Sequence, residues 1–371
     1  MQVPFFTTTR EYQQYKADFD HAIQSVLDRG DFVLGQAVRE FEQQMQSYSQ
    51  AQYAVGVANG SDALVLASDI LGYKNGAEVL TPTFTFFAST SCLARLGAKP
   101  VFTDVDTDTF NMDVADAAQR ITAQTKGILP VHLFAQMADM TGIMDLAQSH
   151  NLTVLEDSAE AVGMKQEYRG EYKMGGTIGD MGVYSFFPTK TLGGYGDGGM
   201  LVCNDLKLAE QAKSLRVHGS RERYIHELVG YNSRLDSLQA AILSVKLSRI
   251  EKSIAQRAKL AELYREQLSD VEQVQLPVIK PGNKEVYYVF NLKVEKRDEL
   301  NAFLQENGIG TSIYYPIPLH LQKCFKHLGY KKGDFPVAEK LCTQVLSLPM
   351  YPELQTDELS YVCDKIKEFY R

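Results

Sequence analysis

The sequence has no tryptophan, only five cysteines, no surplus of positive charge and no long apolar run. Each shortage excludes something. The cysteines, Cys92, Cys203, Cys324, Cys342 and Cys363, are odd in number, widely spaced and without a C-x-x-C pair, the pattern of reduced thiols in a cytoplasmic protein. The stretch 79–94 is uncharged, but Pro82 and many Thr and Ser residues make it wrong for a membrane span. The opening MQVPFFTTTREYQQY lacks a basic segment followed by an apolar one, so no signal peptide is expected. With 38 Lys and Arg against 46 Asp and Glu, the net charge of −8 argues against a sequence-independent nucleic-acid binder, which needs clustered basic residues to displace counterions. A local pocket for a phosphorylated small molecule stays open.

What is present is globular: 44% hydrophobic and 23% charged residues in 371, a length for which two domains is the prior. Helical patterns cover Tyr15 to Leu27 and Ala37 to Tyr48. From Tyr53, short apolar runs alternate with amphipathic stretches: 53–58, 77–82, 100–105, 127–134 and 152–157, with helices starting near Ser61, Phe87, Asp113 and Thr141. That rhythm predicts an α/β fold with a mostly parallel sheet covered by helices. Runs 181–187 and 199–204 have no helix between them, so an antiparallel edge strand is expected. A long helix from Leu235, with Leu247, Ile250, Ile254, Ala258 and Ala261 at helical spacing, is expected to bridge to a smaller C-terminal α+β domain. There 286–294, 297–309 and 311–316 read as strand, helix, strand, followed by helices over Val337 to Leu346 and Asp357 to Phe369. The expected division is 1–246, with the N-terminal arm, and 247–371.

Three segments carry chemistry. In SFFPTKTLGGYGDGGM (185–200), Lys190 follows a strand, with Ser185 five residues before it and a glycine-dense turn after it. The glycines are no dinucleotide fingerprint, lacking the strand-before, helix-after context. In VLEDSAEAVG (154–163), Asp157 ends an apolar strand, where ligands bind in open α/β sheets, although it could instead cap a following helix. In VANGSDAL (57–64), a strand enters a helix through Asn59, Gly60 and Ser61; this is an anion site by backbone N–H groups and macrodipole, or an ordinary cap made by Ser61 or Asp62.

With TPTFTFFAST (81–90) and VGYNSRLDSLQAAIL (229–243), these segments in this order resemble the DegT/DnrJ/EryC1/StrS family of pyridoxal-phosphate-dependent nucleotide-sugar aminotransferases, fold type I. The resemblance implies that Lys190 forms the Schiff base with pyridoxal phosphate and then moves a proton between substrate and cofactor. It implies that Asp157 pairs with the pyridine nitrogen, that Phe86 stacks on the ring while Phe84 and Phe87 serve the core, and that Gly60, Ser61 and Ser185 hold the phosphate. Asn232 would reach the same phosphate from the other subunit of a homodimer. Arg234 would act in the same loop or pair with Asp236. Tyr314, Tyr315 and His320, in YYPIPLHLQ (314–322), are candidates for the sugar or its diphosphate, and a core role for one of the tyrosines is the alternative. His218, Arg221 and Arg223 could meet a diphosphate or form a solvated loop.

Two departures stand out. Glu160 occupies the position where the family usually has a glutamine against the cofactor's 3′-oxygen, which an ionised carboxylate would repel, and Ala135 replaces a usual glycine. The resemblance implies transfer of an amino group from glutamate, through a pyridoxamine phosphate form, to a keto group of a dTDP- or UDP-linked keto-hexose. C3 is favoured and C4 is the alternative. The deoxygenating branch carries histidine where Lys190 stands, which counts against it. A non-catalytic cofactor-binding regulator is the reading from another class. No metal, nucleic acid or membrane partner is expected.

Overall fold

The computed structural model describes residues 1–134, 136–222 and 224–371, so the remarks on Ala135 and Arg223 fall outside the described residues. The strands β1 (Tyr53–Val57), β2 (Glu78–Pro82), β3 (Lys99–Thr103), β4 (Thr125–Ile128), β5 (Thr153–Asp157), β6 (Lys165–Tyr168), β7 (Glu171–Met174), β8 (Met181–Ser185) and β9 (Gly199–Cys203) supply the central sheet and one hairpin. The sheet has seven strands in the order β1-β9-β8-β5-β4-β2-β3. From β8 to β3 every neighbouring pair is parallel. β9 is antiparallel to both β8 and β1. The expected antiparallel strand is therefore real but not at the edge, because β1 pairs along its outer side and is itself packed by the helix Gln36–Ser49. Every residue of β2 and β9 is buried, as strands covered on both faces require.

Helices Gly60–Ile70, Phe87–Arg95, Val114–Gln119 and Met140–His150 follow β1 to β4. Asn59, Asp113 and Asp139 cap three of them by accepting backbone N–H bonds, so the first is capped by Asn59 and not by Ser61 or Asp62. No helix follows β5, and Asp157 is no cap. The chain turns instead into the β6–β7 hairpin, whose two loop residues, Arg169 (φ 51°) and Gly170 (φ 86°), both adopt the positive φ that a tight hairpin turn needs. A second hairpin, β10 (Ser220–Glu222) with β11 (Ile225–His226), projects from the loop before Asn232.

The bridging helix is two helices, Ser237–Leu247 and Ile250–Leu268. At the break, the Ser248 hydroxyl and the Arg249 guanidinium both donate to the Val245 carbonyl, and Arg249 also reaches Asp18 at 2.6 Å. Side chains thus satisfy the backbone that the break leaves open. Beyond lie β12 (Val274–Gln275), β13 (Asn283–Lys284), which pairs with β6, and β14 (Phe290–Val294). The last strand, β15 (Val345–Leu348), pairs with β14, so the helix read over Val337 to Leu346 ends at Gln344. Residues 311–316, read as a strand, contribute only the isolated bridge Ser312 to Ser347. β15 takes the place foreseen for them, its four residues all buried.

The C-terminal core gathers Leu260, Tyr264, Phe290, Leu300, Leu348 and Val362, and Val3 joins it through a parallel bridge to Ile309. The N-terminal arm, grouped with the large domain in the sequence reading, thus also packs on the C-terminal part. Among the described residues no helix is long and apolar enough to cross a membrane.

Candidate active site

The carboxyl ends of the parallel strands open on a cleft of about 550 Å³, lined from β1, β2, β4, β5 and β8 and from the distant tyrosines 288, 314 and 315. This is where an open α/β sheet places ligands, because the loops after the strands diverge there.

Asp157, the last residue of β5, is buried with its carboxylate turned to the cleft. Ser89 Oγ donates to Oδ2 at 2.6 Å and the Ala159 N–H donates to Oδ1 at 3.2 Å. Burial pushes this carboxyl above the usual range, against the pull of those donors and of Lys190. Its neighbour Glu156 faces the other side of the strand, as alternation requires. It accepts from His132 Nε2 at 2.8 Å and from the N–H groups of Gly176, Ile178 and Gly179 at 2.6–2.8 Å. One carboxylate therefore anchors the strand end and the other serves the cleft.

Lys190 stands in the turn after β8, its own N–H bonded to the Phe187 carbonyl at 2.8 Å. Its Nζ lies 3.1 Å from Glu160 Oε1 and 4.4 Å from the centre of the Tyr288 ring. Burial opposes the charge, but Glu160, Tyr288 and, less strongly, Asp157 outweigh it and hold the ammonium above its ordinary range. The second oxygen of Glu160 accepts the Phe134 N–H at 3.0 Å. The repulsion expected at Glu160 is thus met by a counter-charge the sequence did not announce.

At the other end of the cleft, Asn59 takes up the Asp62 and Ala63 N–H groups, leaving those of Gly60 and Ser61 as the first donors of an eleven-residue helix. Ser185 lies against them, so close that a Cβ on Gly60 would meet the Ser185 Cβ at 2.7 Å. Two N–H groups and two hydroxyls around a helix N-terminus form an anion cradle. Phe86, 57% exposed, lines the cleft near Tyr315, with ring centres 6.3 Å apart. Phe84 is buried as expected, but Phe87 is exposed and packs on Phe325.

Tyr314 and Tyr315 line the cleft, and the peptide between them is cis. His320 does not line it. It is buried, with Nδ1 2.8 Å from Thr83 Oγ1, Nε2 3.2 Å from Glu339 and Phe335 against its ring. Burial lowers its pKa, and with both ring nitrogens partnered inside the chain it sits as a core histidine away from the cleft, not at its mouth as expected. Arg234 lies off the cleft, and Asp236 spends its carboxylate on capping the next helix. Asn232 is exposed away from the cleft of its own chain. His218 and Arg221 also lie outside the cleft, and Arg221 pairs with Glu227 at 3.3 Å.

Reading the sequence missed Ser89 and Tyr288. Ser89 had a signal, since it follows Phe86 by one helical turn in a segment already singled out. Tyr288 had none, because it comes from a stretch read as a strand of the other domain.

A model of the DegT/DnrJ/EryC1/StrS aminotransferase family matches residues 13–367. A pleiotropic regulatory protein of Geobacillus stearothermophilus is 47% identical over 373 residues, covering 100% of this chain and 99% of that protein. A UDP-N-acetyl-3-dehydro-alpha-D-glucosamine 3-aminotransferase of Acidithiobacillus ferrooxidans is 40% identical, covering 98% of this chain and 97% of that protein. The crystal structure of S. venezuelae DesV in complex with a ketimine intermediate superposes with a TM-score of 0.96 at 37% identity, covering 100% of this chain and 99% of that one.

Proposed function

The chain belongs to the DegT/DnrJ/EryC1/StrS aminotransferase family, and on that premise we propose that it moves an amino group from glutamate to the C3 keto group of a UDP- or dTDP-linked hexose, as a cytoplasmic homodimer. The observation that carries this reading is the meeting of Lys190, Asp157 and the Gly60–Ser61–Ser185 cradle in one cleft. The A. ferrooxidans relative is named for amination at C3, which favours C3 over C4.

The residues fit pyridoxal phosphate, the family's cofactor. Gly60 leaves the space of a missing Cβ beside Ser185, two N–H groups stand ready for a phosphate, and a buried carboxylate waits at the far wall. When bound, the cofactor supplies a carbonyl that carries nitrogen and a ring that accepts electrons. Asp157 would hold the ring nitrogen protonated, since an adjacent negative charge favours the protonated form. Lys190 would carry the proton between the reacting carbons, and Phe86 would cover one ring face. Tyr314 and Tyr315 would orient the sugar at the mouth.

The homodimer is supported by apolar surface that a lone chain leaves in water: Ile225 of the second hairpin, Leu228 and Val229 just after it, the last 97% exposed, with Phe32 and Val33. Asn232 lies three residues after Val229 in the same exposed segment, which supports its reaching the partner's cradle. The five unpaired cysteines support a reducing compartment. A sensor without turnover would need the cradle but not a lysine set beside an acid, so the Lys190–Glu160 pair supports catalysis over a purely regulatory role.

The test is to mix the purified protein with pyridoxal phosphate and follow its Schiff-base absorbance. The band should be absent in Lys190→Ala, bleach with glutamate, and return with a UDP- or dTDP-linked 3-keto-hexose as an amino sugar forms. A band unmoved by glutamate sinks the reading, and recovery with 4-keto sugars alone overturns C3.

A further inference from the structure

Glu160 is buried, and its two oxygens are divided: Oε2 is fixed by the Phe134 N–H at 3.0 Å and Oε1 lies 3.1 Å from Lys190 Nζ. The other groups facing Lys190 are Asp157 from β5, Tyr288 from the C-terminal part, and Tyr314 from the loop over the cleft, while Tyr315 beside it faces Glu160. Among the described residues only Glu160 makes a hydrogen bond to Nζ, and Asp157 is occupied by Ser89 and Ala159. A mostly buried ammonium, its side chain 16% exposed, with one carboxylate partner among the described residues is held in charge and in direction alike.

We propose that Glu160 is the proton partner of Lys190, keeping its amine charged and aimed before the cofactor arrives and taking its proton when the amine reacts. This rests on the aminotransferase reading for the identity of the reaction, not for the pairing itself. The ammonium of Lys190 passes a proton to the Glu160 carboxylate. The neutral nitrogen then forms the bond to an aldehyde carbon, and the aldehyde oxygen leaves as water with the two remaining amine protons. No proton enters or leaves the site in that exchange. The same transfer removes the difficulty seen in the sequence, since a protonated Glu160 no longer repels the cofactor's 3′-oxygen.

Glu160→Gln is the decisive variant, because the amide oxygen can still accept the Phe134 N–H while the side chain can no longer take a proton. The first measurement uses cofactor-free protein: acetic anhydride labelling of Lys190 across pH, read by mass spectrometry against the exposed Lys207. In Glu160→Gln, Lys190 should become reactive at lower pH, with at least tenfold more labelling at a fixed pH where wild type is protected. Superposable profiles overturn the proposal. The second measurement is the rate of Schiff-base formation with pyridoxal phosphate. In wild type it should vary little with pH below the lysine's midpoint, and in Glu160→Gln it should rise about tenfold per pH unit. A tenfold slope in wild type would show the proton leaving to solvent and also overturns it. A wild type that forms no Schiff base defeats the functional reading instead, while the labelling result still decides the pairing.

Discussion

Gly60 and Ser185 approach so closely that no side chain fits between them: a Cβ on Gly60 would lie 2.7 Å from the Ser185 Cβ and 3.0 Å from its Oγ. One residue opens a helix and the other closes a strand, so the contact fixes how the two elements meet at the cradle. The closeness brings N–H groups and hydroxyls to a common point, which a bound phosphate would exploit.

Gly60→Ala should therefore separate folding from phosphate binding. Overpacking of this kind costs about 1–3 kcal/mol, and pyridoxal phosphate should bind at least tenfold more weakly in an absorbance titration. Adding Ser185→Gly should restore thermal stability, because the clashing atoms are gone, but not affinity, because a proposed phosphate donor goes with them. Restored affinity in the double variant would remove Ser185 from the cradle.

Ser89 is the donor on which the buried Asp157 chiefly depends. A hydrogen bond to a charged group contributes about 1.5–3 kcal/mol, and Asp157 is already pushed upward by burial. Ser89→Ala should push it further the same way. As the proposed ring partner, Asp157 must be ionised, so the loss of kcat should be largest at the acidic end of the pH profile, roughly tenfold or more, and shrink as pH rises. The KM for glutamate should change little. A loss that is uniform across pH would mean that Ser89 acts on packing alone.

How far these features could be read in advance follows from where their causes lie in the chain. Lys190, Asp157, Gly60 and Ser61 each sit at a strand end within a short local pattern, and the physics of strand ends and helix starts is local. His320 is different: its partners Thr83 and Glu339 come from both sides of the molecule, and only folding shows that both ring nitrogens are taken. Tyr288 reaches Lys190 from the C-terminal part for the same reason. The strand Val345–Leu348 continues an apolar helical pattern, and period alone does not separate a short buried strand from a last helical turn. The β6–β7 hairpin has a local turn signal in Arg169-Gly170, but its strands, KQEY and EYKM, are too short and polar to stand out as apolar runs.

Val229 gives the proposed dimer a direct test. At 97% exposure it touches too little of its own chain for a substitution to disturb folding, so Val229→Asp should leave the melting temperature of an isolated chain nearly unchanged. In sedimentation velocity the variant should shift toward monomer, because a charge would be buried in the apolar contact. Its affinity for pyridoxal phosphate should fall with dissociation if Asn232 completes the partner's cradle. A stable dimer with full affinity would place the interface elsewhere.

Glu285 sets a pH dependence of stability away from the cleft. Among the described residues its Oε2 is buried without a hydrogen-bond partner and its Oε1 accepts the Tyr287 hydroxyl at 3.1 Å, and burial raises its pKa from 4.5 to about 7 despite that hydroxyl and Arg265 nearby. The folded chain thus holds a proton that the unfolded chain releases between those two values, so unfolding becomes easier as pH rises through that window. The group opposes folding most above about pH 7 and hardly at all below 4.5. Because the side chain is partly solvated, the penalty is about 1–2 kcal/mol rather than the full linkage value. Glu285→Gln should match wild type in urea denaturation near the lower limit and exceed it by that amount above the upper one. Equal stability at both ends would mean that Glu285 is charged and hydrated in the folded protein.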